Sequence, residues 1–232
     1  MSGPVERHLE VTRTARYWVL GGEVEAPAEV WVVLHGYQQL AGRFVRRFQP
    51  LADGTRLVVA PEALSRFYTD QAPGRHGPDS AVGASWMTRE DRSREIGDYV
   101  GYLDRLVDTL LAQPERPRGP VKPAPTLTVL GFSQGVATGA RWTVLGRTRP
   151  SRLVLWGDFL PADLDLSEAR RAWEATDVVL VRGDRDGLFA DPALERAESR
   201  RREEAGLRAR VLAYEGGHEI DPRVLGRIAA GE

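Results

Sequence analysis

The chain has no cysteine, which excludes disulfides, thiolate nucleophiles and cysteine-ligated metals. It has no excess charge of either sign. Lysine and arginine total 32 against 33 aspartates and glutamates, a formal net charge of −1, so the basic footprint of a nucleic-acid binder is missing and no nucleic-acid partner is expected. Lys122 is the sole lysine. No apolar run approaches the ~18 residues that a membrane-spanning helix needs, so no membrane insertion is expected. Met1 to Val11 contains no basic region followed by an apolar stretch. No signal peptide is therefore expected, and the expected compartment is the cytoplasm. The four histidines, His8, His35, His76 and His218, show no metal-ligand spacing, and no metal is expected.

The 232 residues, 42 % of them hydrophobic and 28 % charged, can build one substantial core. Val30 to Leu34 is a continuous apolar run without alternation, as expected of a strand covered on both faces. The same signature recurs at Leu57–Ala60, Leu127–Leu130, Leu153–Trp156, Val178–Val181 and Val211–Tyr214. Between these runs lie helical patterns. Ile96, Tyr99, Val100, Leu103, Val107 and Leu110 share one helical face, and Asp191-Pro192 and Asp221-Pro222 each read as an N-cap followed by proline at the first helical position. Ahead of them, Leu9 and Val11, then Ala15, Tyr17 and Val19, alternate before Gly21-Gly22 as in a hairpin, although Trp18 breaks the pattern. The expected fold is α/β: a mostly parallel sheet with an N-terminal antiparallel hairpin and helices on both faces. Pro114 to Pro125 holds five prolines and reads as a surface loop, giving a single domain over 1–232. The connections Ala63 to Ser85 and Gly157 to Thr176 read as a loop and one short helix near Ser167 to Glu174, so no large cap is expected.

Gly131-Phe132-Ser133-Gln134-Gly135 follows one of the buried-type strands and opens a helical stretch. A tight strand-to-helix turn of this kind lifts a serine hydroxyl above the sheet, and the glycines let backbone segments approach closely. Serine needs a base oriented by a third group. His218, in Gly216-Gly217-His218, is the only histidine after Ser133. Asp184 and Asp186 follow the penultimate strand, and both qualify as the acid by position. Backbone N–H of Gln134 and of the loop His35-Gly36-Tyr37-Gln38-Gln39 are candidate oxyanion donors. His35 precedes the nucleophile and reads as a residue that holds this loop.

With these elements in order, the chain resembles the phospholipase/carboxylesterase family of α/β-hydrolases, which includes bacterial carboxylesterases and eukaryotic acyl-protein thioesterases. The likeness runs from the LHG loop through Ala84-Ser85-Trp86, GFSQG and GDRD to GGHEI. It implies an α/β-hydrolase fold, a Ser133–Asp186–His218 triad, and Tyr37 and Gln134 as backbone oxyanion donors. It also implies a tryptophan near the site at Trp86, grouped here with Gln38 and Gln39 as candidate substrate contacts. The departures are Gln38-Gln39-Leu40 in place of a G-D continuation, Gly187 where many members have proline, and Met87-Thr88 after Trp86. The expected activity is hydrolysis of short, water-soluble carboxylic esters without a cofactor, the partner being a small-molecule ester. An acyl-thioester hydrolase or lysophospholipase would use the same triad, and a non-catalytic receptor on this fold would be expected to lack one of its members. The oligomeric state stays open, a homodimer included.

Overall fold

A computed structural model describes residues 3–22, 27–70, 75–112 and 124–232. The proline-rich segment from Pro114, apart from residues 124 and 125, lies outside the described residues, as do Pro73 and Gly74.

Seven strands form one sheet in the order β1-β3-β2-β6-β7-β8-β9. They are β1 (Tyr17–Leu20), β2 (Glu29–Leu34), β3 (Arg56–Pro61), β6 (Thr126–Phe132), β7 (Arg152–Trp156), β8 (Asp177–Gly183) and β9 (Arg210–Tyr214). All neighbours run parallel except β1, which pairs antiparallel with β3. The antiparallel pair thus joins Tyr17–Leu20 to β3 and not to the residues around Leu9. Leu9 and Val11 are exposed and lie in no strand. Trp18 breaks the alternation because its indole covers Gly42, where a Cβ would meet Trp18 Cε2 at 2.7 Å.

The inner strands β2, β3, β6, β7 and β8 are buried on both faces, whereas the edge strands β1 and β9 are largely exposed, so Val211–Tyr214 forms a strand without the two-sided cover its apolar run predicts. Val30, Val32 and Leu34 point into the core shared with α2 (Arg92–Leu111), α3 (Gln134–Leu145) and α4 (Leu166–Ala172). Trp31 and Val33 point into the second core, under α1 (Ala41–Phe44), the 3-10 turn Val45–Leu51 and α6 (Pro222–Ala230). This two-sided burial is why the strands read as unbroken apolar runs. On α2, Tyr99, Leu103 and Val107 are buried, as their spacing predicts. Its Asp104 accepts hydrogen bonds from Trp142 Nε1, Arg147 N and Thr148 Oγ1 and so locks the carboxyl end of α3. Burial alone would raise its pKa, but these bonds outweigh it and hold the carboxyl below its ordinary value.

The helix α5 (Pro192–Glu204) and α6 both begin at an aspartate that accepts backbone N–H bonds, Asp191 from Ala193 and Asp221 from Arg223 and Val224. Between β7 and β8 the chain forms only α4. The Ala63 to Ser85 connection departs from its reading as a loop. It contains an antiparallel pair, β4 (Ser65–Tyr68) with β5 (Val82–Ser85). The pair packs on the loop after β2: Gln38 N–H donates to Ala84 O at 3.0 Å, and a Cβ on Gly83 would lie 2.6 Å from Gln38 O.

Candidate active site

The turn after β6 places Ser133 at φ 53° and ψ −122°, a conformation that L-residues rarely adopt and that costs about 1–3 kcal/mol. Two backbone bonds hold it there, Ser133 N–H to Trp156 O at 2.9 Å and Val136 N–H to Ser133 O at 2.7 Å. The flanking glycines are required by contact. A Cβ on Gly131 would lie 2.1 Å from Gly135 O, and one on Gly135 would lie 2.3 Å from Leu34 O.

Five loops converge here from the carboxyl ends of β2, β6, β7, β8 and β9, where open α/β sheets bind ligands. His218 donates from Nδ1 to Asp186 Oδ2 at 2.7 Å, a length typical of a charge-assisted bond. The other oxygen of Asp186 accepts Leu188 N–H at 3.0 Å. The Asp186 side chain is 2 % exposed and that of His218 37 %: the acid is desolvated while the imidazole stays accessible. With its proton on Nδ1, the ring presents a lone pair at Nε2. The ring packs on Phe132, centroid to centroid 4.8 Å, beside the elbow serine. It also lies 3.3 Å from where a Cβ on Gly157 would be. Asp184 is engaged elsewhere, its Oδ1 accepting Gly216 N–H at 3.0 Å, which folds the histidine loop.

The loop after β2 is held from several sides. His35 is fully buried. Its Nδ1–H donates to Gly36 O at 2.8 Å and its Nε2 accepts Ala63 N–H at 3.1 Å, so it is neutral, and burial pushes its pKa down. Gly36 and Gln39 close the loop reciprocally, Gly36 N–H to Gln39 Oε1 and Gln39 N–H to Gly36 O. Gly36 abuts the elbow, since a Cβ there would lie 3.1 Å from Ser133 Cβ. Among the described residues, Tyr37 N–H and Gln134 N–H make no hydrogen bond. Gln38 sits at φ 63°. Of the three candidate substrate contacts, Trp86 is a core residue, 3 % exposed. Its indole N–H donates to His35 O at 2.8 Å and its ring meets Tyr99 edge-on, so it supports the loop from within.

Other supports are side-chain roles that the sequence motifs do not disclose. The Gln134 side chain staples the elbow to the end of β5, with Nε2 donating to Ser85 Oγ and Met87 O, and Oε1 accepting Trp86 N–H. Tyr214 Oη accepts Trp156 Nε1–H and lies 2.9 Å from Gly217 O and 2.7 Å from Glu219 O, bracing the histidine loop. Arg182 stands 5.3 and 5.2 Å from the rings of Phe159 and Phe189, tying the loops after β7 and β8. Asp158 is a third carboxyl in this neighbourhood. Burial raises its pKa, while the bond from Phe159 N–H and the nearby His218 oppose that rise. Outside these loops, Glu6, His8 and Asp91 are grouped closely enough to share a cation, all three exposed.

No family model and no curated protein matches the sequence. Solved structures do match in shape. Acyl-protein thioesterase 2 of Zea mays aligns with a TM-score of 0.64 at 15 % identity, covering 94 % of this chain and 97 % of that one. Esterase PE8 gives 0.63 at 22 % identity, with 94 % and 98 % covered. A carboxylesterase from Mesorhizobium loti gives 0.63 at 16 % identity, with 94 % and 95 % covered. The chain has the α/β-hydrolase fold. No helix among the described residues is long and apolar enough to cross a membrane.

Proposed function

We propose that the chain is a serine hydrolase of carboxylic esters, of the phospholipase/carboxylesterase kind, with Ser133 as nucleophile, His218 as base and Asp186 as the acid that orients it. The observation that carries this reading is the 2.7 Å bond between His218 Nδ1 and a buried Asp186, on a ring packed against the residue next to a strained elbow serine. The names of the structural neighbours, two esterases and a thioesterase, agree with it.

Ser133 Oγ attacks the ester carbonyl as its proton passes to His218 Nε2. The negative charge that develops on the carbonyl oxygen is received by Tyr37 and Gln134 N–H, donors of a kind worth about 10²–10³ in kcat each. The C–O bond to the alcohol breaks, and His218 returns the proton to the departing oxygen. Water, deprotonated by His218, then attacks the acyl-serine and releases the acid. Asp186 holds the Nδ1–H tautomer throughout and stabilises the imidazolium. Short, water-soluble esters are the proposed substrates, because among the described residues no cap covers the site. Wild-type protein should label with a serine-directed fluorophosphonate and turn over p-nitrophenyl acetate, and Ser133→Ala should do neither. Labelling that persists in Ser133→Ala, or a folded wild type that never labels, rejects the assignment.

A further inference from the structure

A cavity of about 220 Å³ opens beside the loop after β2, lined by Gln38, Gln39, Arg43, Arg47, Phe44 and Val82 among others. Among the described residues, no carboxylate lines it. Of the acids flanking its lining residues in the chain, Glu29 and Asp53 pair with Arg56, Glu62 pairs with Arg16 and Arg66, and Asp79, shortly before Val82, is exposed and is not among the lining residues. Arg43 and Arg47 therefore have no acidic partner among the described residues, and they stand four residues apart, on one side of α1 and its 3-10 extension. Gln39 uses its Oε1 on Gly36, which leaves its amide N–H groups as donors. Two guanidinium groups and amide donors without an acid form a positive concavity.

Its place relative to the reacting bond follows from the topology. Gly36 touches Ser133, and Gln38 is two residues on, within ~7 Å of chain. His218, which must protonate the departing alcohol, comes from beyond β9, on the opposite side of β6 from β2. With the alcohol departing toward His218 on the β8 and β9 side, the acyl chain would extend toward β2 and α1. The geometry points to this cavity as the seat of an anionic group on the acyl chain, so that the substrates are esters whose acid part carries a second carboxylate, or a phosphate, a few carbons from the scissile carbonyl. This rests on the hydrolase reading above and narrows its substrate class.

The test compares mono-p-nitrophenyl glutarate with p-nitrophenyl valerate, which differ by a carboxylate in place of the terminal methyl. Wild type should favour the glutarate ester in kcat/KM by about tenfold or more. Arg43→Gln/Arg47→Gln should collapse that ratio toward one, and Arg43→Lys/Arg47→Lys should keep most of it. Free glutarate should bind wild type in a calorimetric titration and bind the double glutamine variant more weakly. Equal rates on the two esters, or a ratio that the glutamine variant leaves intact, overturn the anion seat. Protein that binds glutarate through these arginines but hydrolyses neither ester overturns the hydrolase reading and leaves the seat standing.

Discussion

Two aspartates separated by one residue have different work. Asp186 is buried and holds His218 Nδ1, whereas Asp184 is exposed and accepts Gly216 N–H. Asparagine at 184 keeps an oxygen for that bond, so Asp184→Asn should change kcat by less than about tenfold. At 186 an amide can present N–H to Nδ1 and favour the wrong tautomer, and Asp186→Asn should lower kcat by about 10⁴. Stopped assays on both variants decide it, and the reverse ranking moves the acid to Asp184. Asp158 supplies a pH test. Burial raises its pKa above the ordinary 3.8, and the carboxylate of Asp186 raises it further, against the pull of His218. The folded state therefore binds its proton more tightly than the unfolded chain. The stability this contributes is full below the unfolded pKa and is lost as pH rises through the folded one. Asp158→Asn, which mimics the protonated form, should raise Tm over wild type by a margin that grows between pH about 4 and 7. A margin that shrinks over that range contradicts the assignment.

At the scale of elements, the site is a set of loops pinned to one another by backbone contact. Gly135→Ala would drive a Cβ into Leu34 O. With both backbones fixed in the sheet and helix, it should destabilise by about 3 kcal/mol or more in urea. Tyr214→Phe removes a hydroxyl placed between Trp156 and the carbonyls of 217 and 219. It should cost about 1–2 kcal/mol and lower kcat through a looser His218, while KM holds. Strands β2, β3, β6, β7 and β8 were legible in the sequence because two-sided burial demands unbroken apolar runs, and α2 because one face carries its core contacts. The pair β4 and β5 was not legible: its four-residue strands flank a Gly- and Pro-rich stretch, and although burial alternates along Ser65–Tyr68, the residue types do not, since Ser65 shares the half-buried face with Phe67 and Tyr68 the exposed face with Arg66. Within the site, Ser133, His218 and the two aspartates stand out by type and order. Tyr214, Arg182 and the side-chain role of Gln134 do not, because their value lies in hydrogen bonds and ring contacts across loops, which no local pattern encodes. Trp86 is the intermediate case, visible as a landmark while its burial was not.

At the scale of the molecule, the reach of the site is set by what stands over it. The β7–β8 connection supplies α4 alone, and the β4–β5 pair is seated on the Gln38 loop through Ala84 O. An added methylene is worth ~0.8 kcal/mol only where wall exists to bury it. A p-nitrophenyl ester series from acetate to palmitate should therefore peak at short chains and show no jump at the micelle threshold. Activity that climbs steadily to the long chains would reveal an apolar tunnel. The elbow itself is an extension of the sheet. Ser133 N–H bonds to Trp156 O, and Gly157 N–H to Val181 O, each one residue past its strand. Neither amide can meet solvent by the fraying of a loop, because opening either one parts β6, β7 and β8. In deuterated buffer, these two amides should exchange on the clock of global unfolding, among the slowest in the chain. The strained serine would then persist as long as the fold does, and vanish with it in a single step.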